Sequence, residues 1–176
     1  MADPKQLRIM KALTTLLEGI NPDNIDPATG DPYEIDLRGK VFRGRSVLTV
    51  DDAEDTVSIL EAPRQDLWSA VGVGAIRNDE IAVLLQGWPA DDPEHPSDSA
   101  YVLKALCEQR LYRIIADLPN GRGPEFPEDY LLGRELSSFR FAPGVVRPPE
   151  DAASRLAMFY MPLVLGVRVN VGNPFE

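Results

Sequence analysis

The apolar pattern predicts an α+β domain: a mostly antiparallel sheet of four to five strands with two main helices packed against it. Two helical stripes and a set of short β-rich runs carry that reading. Leu7, Met10, Leu13, Leu17 and Ile20 recur at helical spacing near the start, and Leu103, Cys107, Leu111, Ile114 and Leu118 do so further on. Between and after them lie runs such as Thr56–Ala62 and Glu80–Trp88, closed by prolines. Helices set beside a largely antiparallel sheet make one layered domain. The 176 residues fit a single unit, 1–176, long enough to bury roughly two-thirds of its unfolded surface.

Each element has a local reason. Asp3 and Pro4 suit the N-cap and first position of the first helix, and Gly19 suits its exit. Residues 21–39 hold Pro22, Pro27, Gly30 and Pro32 among acidic residues and read as a long irregular loop. Such loops are usually functional or mobile, and mobility in the free chain is the expectation here and for the polar stretch 64–79. Val41–Arg45 reads as a short strand, Asp51–Asp55 as an acidic turn, and Thr56–Ala62 as a strand stopped by Pro63. Glu80–Trp88 is apolar on both faces, which predicts a central strand. Ser97 or Asp98 is expected to open the second helix and Asn120-Gly121 to end it, with Glu108, Gln109, Arg110 and Arg113 off its buried stripe. Leu136–Ala142 alternates, with Leu136, Ser138, Arg140 and Ala142 on one face and Phe139 and Phe141 opposite; Pro143–Pro149 ends it. Leu156–Val171 is a long last strand in which Pro162 implies an edge, a bulge or a break.

Composition narrows function. No apolar run approaches the roughly 20 residues of a membrane span. The N-terminus lacks the order of a signal peptide, so synthesis inside the cell is expected. The lone Cys107 makes no internal disulfide. Asp and Glu number 28 against 18 Lys and Arg, a net charge of −10, which disfavours gripping nucleic acid through its phosphates. The 16 prolines cluster between periodic segments and stiffen connections within one domain.

No residue pattern announces catalysis. His95, the only histidine, sits between Glu94 and Pro96 and reads as an exposed loop residue. Cys107 falls on an apolar stripe and reads as a small core residue. Asp51, Asp52, Glu54 and Asp55 could gather a hard cation, yet their spacing is not that of a calcium loop. Gly72-Val-Gly74 lacks the third glycine of a dinucleotide fingerprint and precedes a strand, not a helix. No cofactor and no metal is therefore expected. Arg43, Arg45 and Arg147 flank short strands and proline turns, where contacts to carboxylates of an adjacent subunit or of a second protein are expected.

Several segments resemble, in the same order, a family of tail terminator proteins of long-tailed bacteriophages. They are Pro4–Ile20, Leu37–Arg45, Ile59–Arg64, Leu84–Trp88, Pro96–Tyr101, Tyr130–Gly133 and Pro143–Pro149. They cover nearly the whole chain; the order, more than any one motif, carries the likeness. The resemblance implies an α+β fold and a ring, usually a hexamer, that caps the tail tube and stops its polymerisation. It implies contacts with the tail tube protein and a neck or head completion protein, at the tail–neck junction of the virion after assembly in the host cytoplasm. Genomic DNA would pass through the lumen without tight binding. The acidic stretch Asp51, Asp52, Glu54 and Asp55 is a candidate to line that lumen, as are Asp91–Glu94 and Asp23–Asp31. The family carries no catalytic residues. Two other classes are weighed: a neck connector ring, and a metal-dependent enzyme using Asp51, Asp52, Asp55 and His95.

Overall fold

The computed structural model describes residues 2–46, 54–62, 76–90, 92–149 and 156–175. Among the described residues six strands form one mixed sheet: β1 (Val41–Arg43), β2 (Thr56–Glu61), β3 (Ile76–Trp88), β4 (Ser138–Phe141), β5 (Val145–Arg147) and β6 (Met158–Asn170). Their order is β1-β2-β3-β6-β4, with β5 also on β6. Only β1 and β2 run parallel. The α+β class holds, with one strand more than expected. The extra one is β5, because Val145–Arg147 pairs with Met158–Tyr160 where the prolines were expected only to end a strand.

Two long helices cover one face. α1 (Lys5–Glu18) buries Ile9, Met10, Leu13, Leu16 and Leu17. Pro4 keeps an extended ψ of 147° and takes the cap position, so Asp3 does not cap the helix. Asp3 instead holds Lys11 at 2.6 Å. The carbonyl of Pro174 accepts from the Lys5 N–H, so the C-terminal tail ties down the helix start.

α2 (Pro96–Tyr112) begins with its proline in the first turn, one residue before Ser97. It stops eight residues short of Asn120. The chain there turns back through Glu125 N–H to Ala116 O and Leu118 N–H to Gly123 O. Those bonds leave Ile114 fully buried and Leu118 38% exposed, so the stripe ends at Ile114.

Strands β3 and β6 pair from Ile76↔Asn170 to Gly87↔Phe159. β3 therefore starts at Ile76, inside the stretch expected to be loop; residues 63–75, with Trp68 and Gly72-Val-Gly74, lie outside the described residues. β6 is central, and Pro162 breaks its neighbour instead. The Pro162 carbonyl accepts from Ala142 N–H on the β4–β5 side. A residue's N–H and C=O point the same way across a strand, so the missing N–H falls in the joint between β4 and β5 and costs β3 nothing.

Alternation assigns the faces. Val57 and Ile59, Val83 and Leu85, and Phe159, Met161, Leu163, Leu165 and Val167 point toward the helices and are 2% exposed or less. Phe139 and Phe141 share that side, their ring centroids 5.9 Å apart. Leu136 is also buried, since it precedes β4 and escapes its alternation. The loop 21–39 is knit to this body: Leu37 N–H donates to Ile20 O, Tyr33 hydroxyl to Gln109, and Gln109 to Asp26.

A short turn, α3 (Leu131–Arg134), winds left-handed. Its φ angles are +49°, +51°, +68° and +67°, and only Gly133 is a glycine. Leu132 is buried by this winding, and Leu131 N–H donates to Ile114 O. Among the described residues no helix is long and apolar enough to cross a membrane.

Candidate functional site: the uncovered face of the sheet

Among the described residues no helix or strand packs on the second face of the sheet, although Thr56, Ser58 and Trp88 on that face are buried. Register builds it in rows across the strands. Arg140, Val164 and Ala82 form one row; Pro162, Leu84 and Leu60 form the next. A third row runs Val145, Tyr160, Gln86, Ser58 and Phe42, five strands wide. Val145 and Pro162 are exposed, Val164, Ala82, Leu84, Leu60, Tyr160, Gln86 and Phe42 are half-buried, and Ser58 is fully buried, its hydroxyl on the Arg45 carbonyl. No charged side chain stands in the two rows from Pro162 and Val145. Strands this apolar on both faces belong to sheets covered on both sides.

Charge gathers at the rim. At one end Arg140 reaches Glu80 at 2.8 Å, both groups well exposed. At the other, the Arg147 guanidinium lies 6.0 Å from the Tyr160 ring centroid and that of Arg45 lies 4.6 Å from Phe42. Gly44, with φ +77°, bends the chain so that Arg45 folds back over Phe42. An uncharged centre with an arginine and aromatic border is the make-up of protein–protein contact surfaces.

Two of the three sequence-predicted arginines, Arg45 and Arg147, thus border this face. Arg43 does not. It pairs in register with core-facing Ile59, and its Nη1 donates to Thr14 on α1 at 3.1 Å. The acidic candidates lie just ahead of β2. Glu54 is paired with Lys40 and Asp55 accepts the Ala90 N–H at 3.0 Å; Asp51 and Asp52 are outside the described residues.

The chemical candidates are dispersed. His95 precedes α2 as an exposed loop residue, its N–H on Asp92. Cys107 is fully buried, and desolvation pushes its thiol far above the ordinary range. A nucleophilic role needs the opposite. Among the described residues no three His, Cys, Asp or Glu side chains gather in metal-ligand fashion. A cavity of about 430 Å³ opens at the start of α1; in its wall Arg77 pairs with Asp79 and the Gln6 amide donates to Glu61.

Sequence reading missed Arg110. Placed off the stripe, it is in fact 9% exposed, and its Nε donates to Leu16 O at 3.1 Å. Desolvation lowers its pKa. Gly19 leaves room for it: a Cβ there would stand 1.9 Å from Nη2. That glycine, read only as a helix exit, was the available signal. Comparison with protein-family models and with curated proteins returned no match.

Proposed function

We propose that this chain is a structural subunit that closes into a ring, most simply of six copies, on the end of a phage tail tube. In this reading it stops tube polymerisation, presents a surface to neck or head completion proteins, and performs no catalysis. The second face of the sheet, on which no described helix or strand packs, supports the proposal. A broad uncharged centre edged by Arg45, Arg140 and Arg147 suits a permanent protein contact and holds no group for chemistry. The order of segments resembling tail terminators supplies the specific assignment. Identical subunits meeting through two different patches close into a ring when the rotation divides a full turn.

The test is negative-stain microscopy of the purified protein mixed with tail tubes that are still polymerising. Rings seated on one tube end, with growth arrested at that end, are expected. Tubes that keep growing uncapped overturn the reading. Rings that decorate the portal side and ignore tubes assign the chain to a neck connector.

A further inference from the structure

Among the described residues four non-glycine residues have positive φ, and three of them are Leu131, Leu132 and Arg134 of α3. A left-handed turn of L-residues is strained and persists only where its surroundings over-determine it. Gly133 is there for its conformation and not for space, since a Cβ on it would meet nothing nearer than Glu128 O at 3.9 Å. Two ion pairs bracket the turn. Before it, Asp129 pairs at 2.7 Å with Arg113, just past α2, whose guanidinium lies 4.3 Å from the Phe126 ring centroid. After it, Glu135 accepts from Nε and Nη2 of Arg8 on α1 at 3.1 and 3.2 Å. That two-point geometry sets the second pair apart from ordinary surface pairs. The Nη1 of Arg8 donates to the Phe175 carbonyl of the C-terminal tail at 2.6 Å and to the Asp3 carbonyl at 3.3 Å. Beside the turn a cavity of about 360 Å³, bordered by Leu16, Arg110, Leu132 and Gly133, leaves it room to rearrange.

We propose that α3 is a clamped spring. The Arg8–Glu135 and Arg113–Asp129 pairs hold its left-handed backbone, and loss of the Arg8–Glu135 pair opens the turn locally while the sheet stays folded. Arg8 ties the start of α1, the tail and the turn together, so whatever draws Glu135 away from it acts on the strained backbone. The side chains of Arg8 and Glu135 are 31 and 30% exposed, within reach of a competing charge on a bound protein. A contact of that chemistry is converted into a change of backbone shape, because a strained element needs little differential binding to shift. The inference is independent of the ring reading.

Amide hydrogen exchange tests it, read as protection at Leu131, which donates to Ile114 O, and at Leu136, which donates to Leu131 O. The β3–β6 ladder is the reference. Glu135→Ala removes the clamp and leaves Arg8 on the tail. It should cut protection at both turn amides about tenfold or more and leave the ladder unchanged. Adding Arg134→Gly relieves strain at an exposed position and should win back about threefold. A turn that is tethered without strain responds the other way, because a glycine loosens it further. Unchanged protection in Glu135→Ala, equal loss in turn and ladder, or no gain on adding Arg134→Gly overturns the inference. If Glu135→Ala does not fold, Arg134→Gly alone decides: higher protection at Leu131 and Leu136 than in the wild type is expected, and equal or lower protection overturns the spring.

Discussion

A methyl added at Gly87 would stand 2.1 Å from Cε1 of Phe159, whose ring is fully buried against β3. The glycine is the space the ring occupies. Gly87→Ala should destabilise by about 1–3 kcal/mol, as overpacked cores do. Trimming the ring removes the conflict, so the same change should cost much less beside Phe159→Leu. Urea unfolding of the four proteins in that cycle measures the coupling; equal costs in both backgrounds would exclude the clash. Arg134 poses the opposite case. It is exposed with φ +67°, a conformation costing an L-residue roughly 1–2 kcal/mol. Arg134→Gly should therefore raise stability by about 0.5–1 kcal/mol net of its added unfolded-state freedom. A fall in melting temperature would mean that the side chain is held by something worth more than the strain. Asp36 marks a pH effect. Hydrogen bonds from Arg38, at 2.9 and 2.7 Å, hold its carboxyl down at about 2. A depressed acid gives stability that is present above its unfolded value of about 4 and lost as pH falls toward about 2. The difference between wild type and Asp36→Asn should thus close across that window. A difference unchanged at pH 2 would assign it to shape instead of charge.

At the scale of elements, the long apolar strands and the buried sides of both helices were legible because periodicity reports burial directly. What was not legible depended on partners distant in sequence. The end of α2 is set by hydrogen bonds to residues 123 and 125, which no helical propensity encodes. Pro162 looked like a flaw in β6 and proves to sit opposite a joint between two other strands. The left-handed turn at Leu131–Arg134 contradicts local preference at three of its four residues, and long-range burial of Leu132 decides it. For the proposed interface, the flanking arginines were visible in the sequence, but only register revealed which of them border the same face. Loop 21–39 was expected to be mobile from its composition. Its amides at Asp26, Tyr33 and Leu37 donate to Asp31, Asn24 and Ile20 carbonyls, while Tyr33 and Leu37 are buried. Hydrogen exchange should show these three amides protected in the isolated chain. Exchange as fast as in an unfolded peptide would restore the mobile loop and make its order a consequence of assembly.

At the scale of the whole molecule, the proposed ring meets DNA with a formal −10 from each copy. Charge acts on the duplex only from within about 10 Å at 0.1 M salt, so the wall of the channel matters and the outer surface does not. Part of the acidity is already paired inside the subunit: Glu54 with Lys40, while Asp23 and Asp36 share the single charge of Arg38. Asp26 is buried and accepts from Gln109. Of the stretches proposed for the lumen, Asp31 and Glu94 remain exposed, with Asp92 half-buried beside the latter, and residues 92–94 are one described candidate. A neutral or acidic wall lets a polyanion slide, whereas a basic wall holds it through counterion release. The assembled protein should give no gel shift with duplex DNA at low salt. Reversing the wall with Asp92→Lys and Glu94→Lys should create binding that weakens steeply as salt rises. Reversal without any gain in binding would place that loop on the outside of the ring. Tight, salt-sensitive binding by the unaltered protein would mean that the channel is lined by its arginines, and the passage reading would fall.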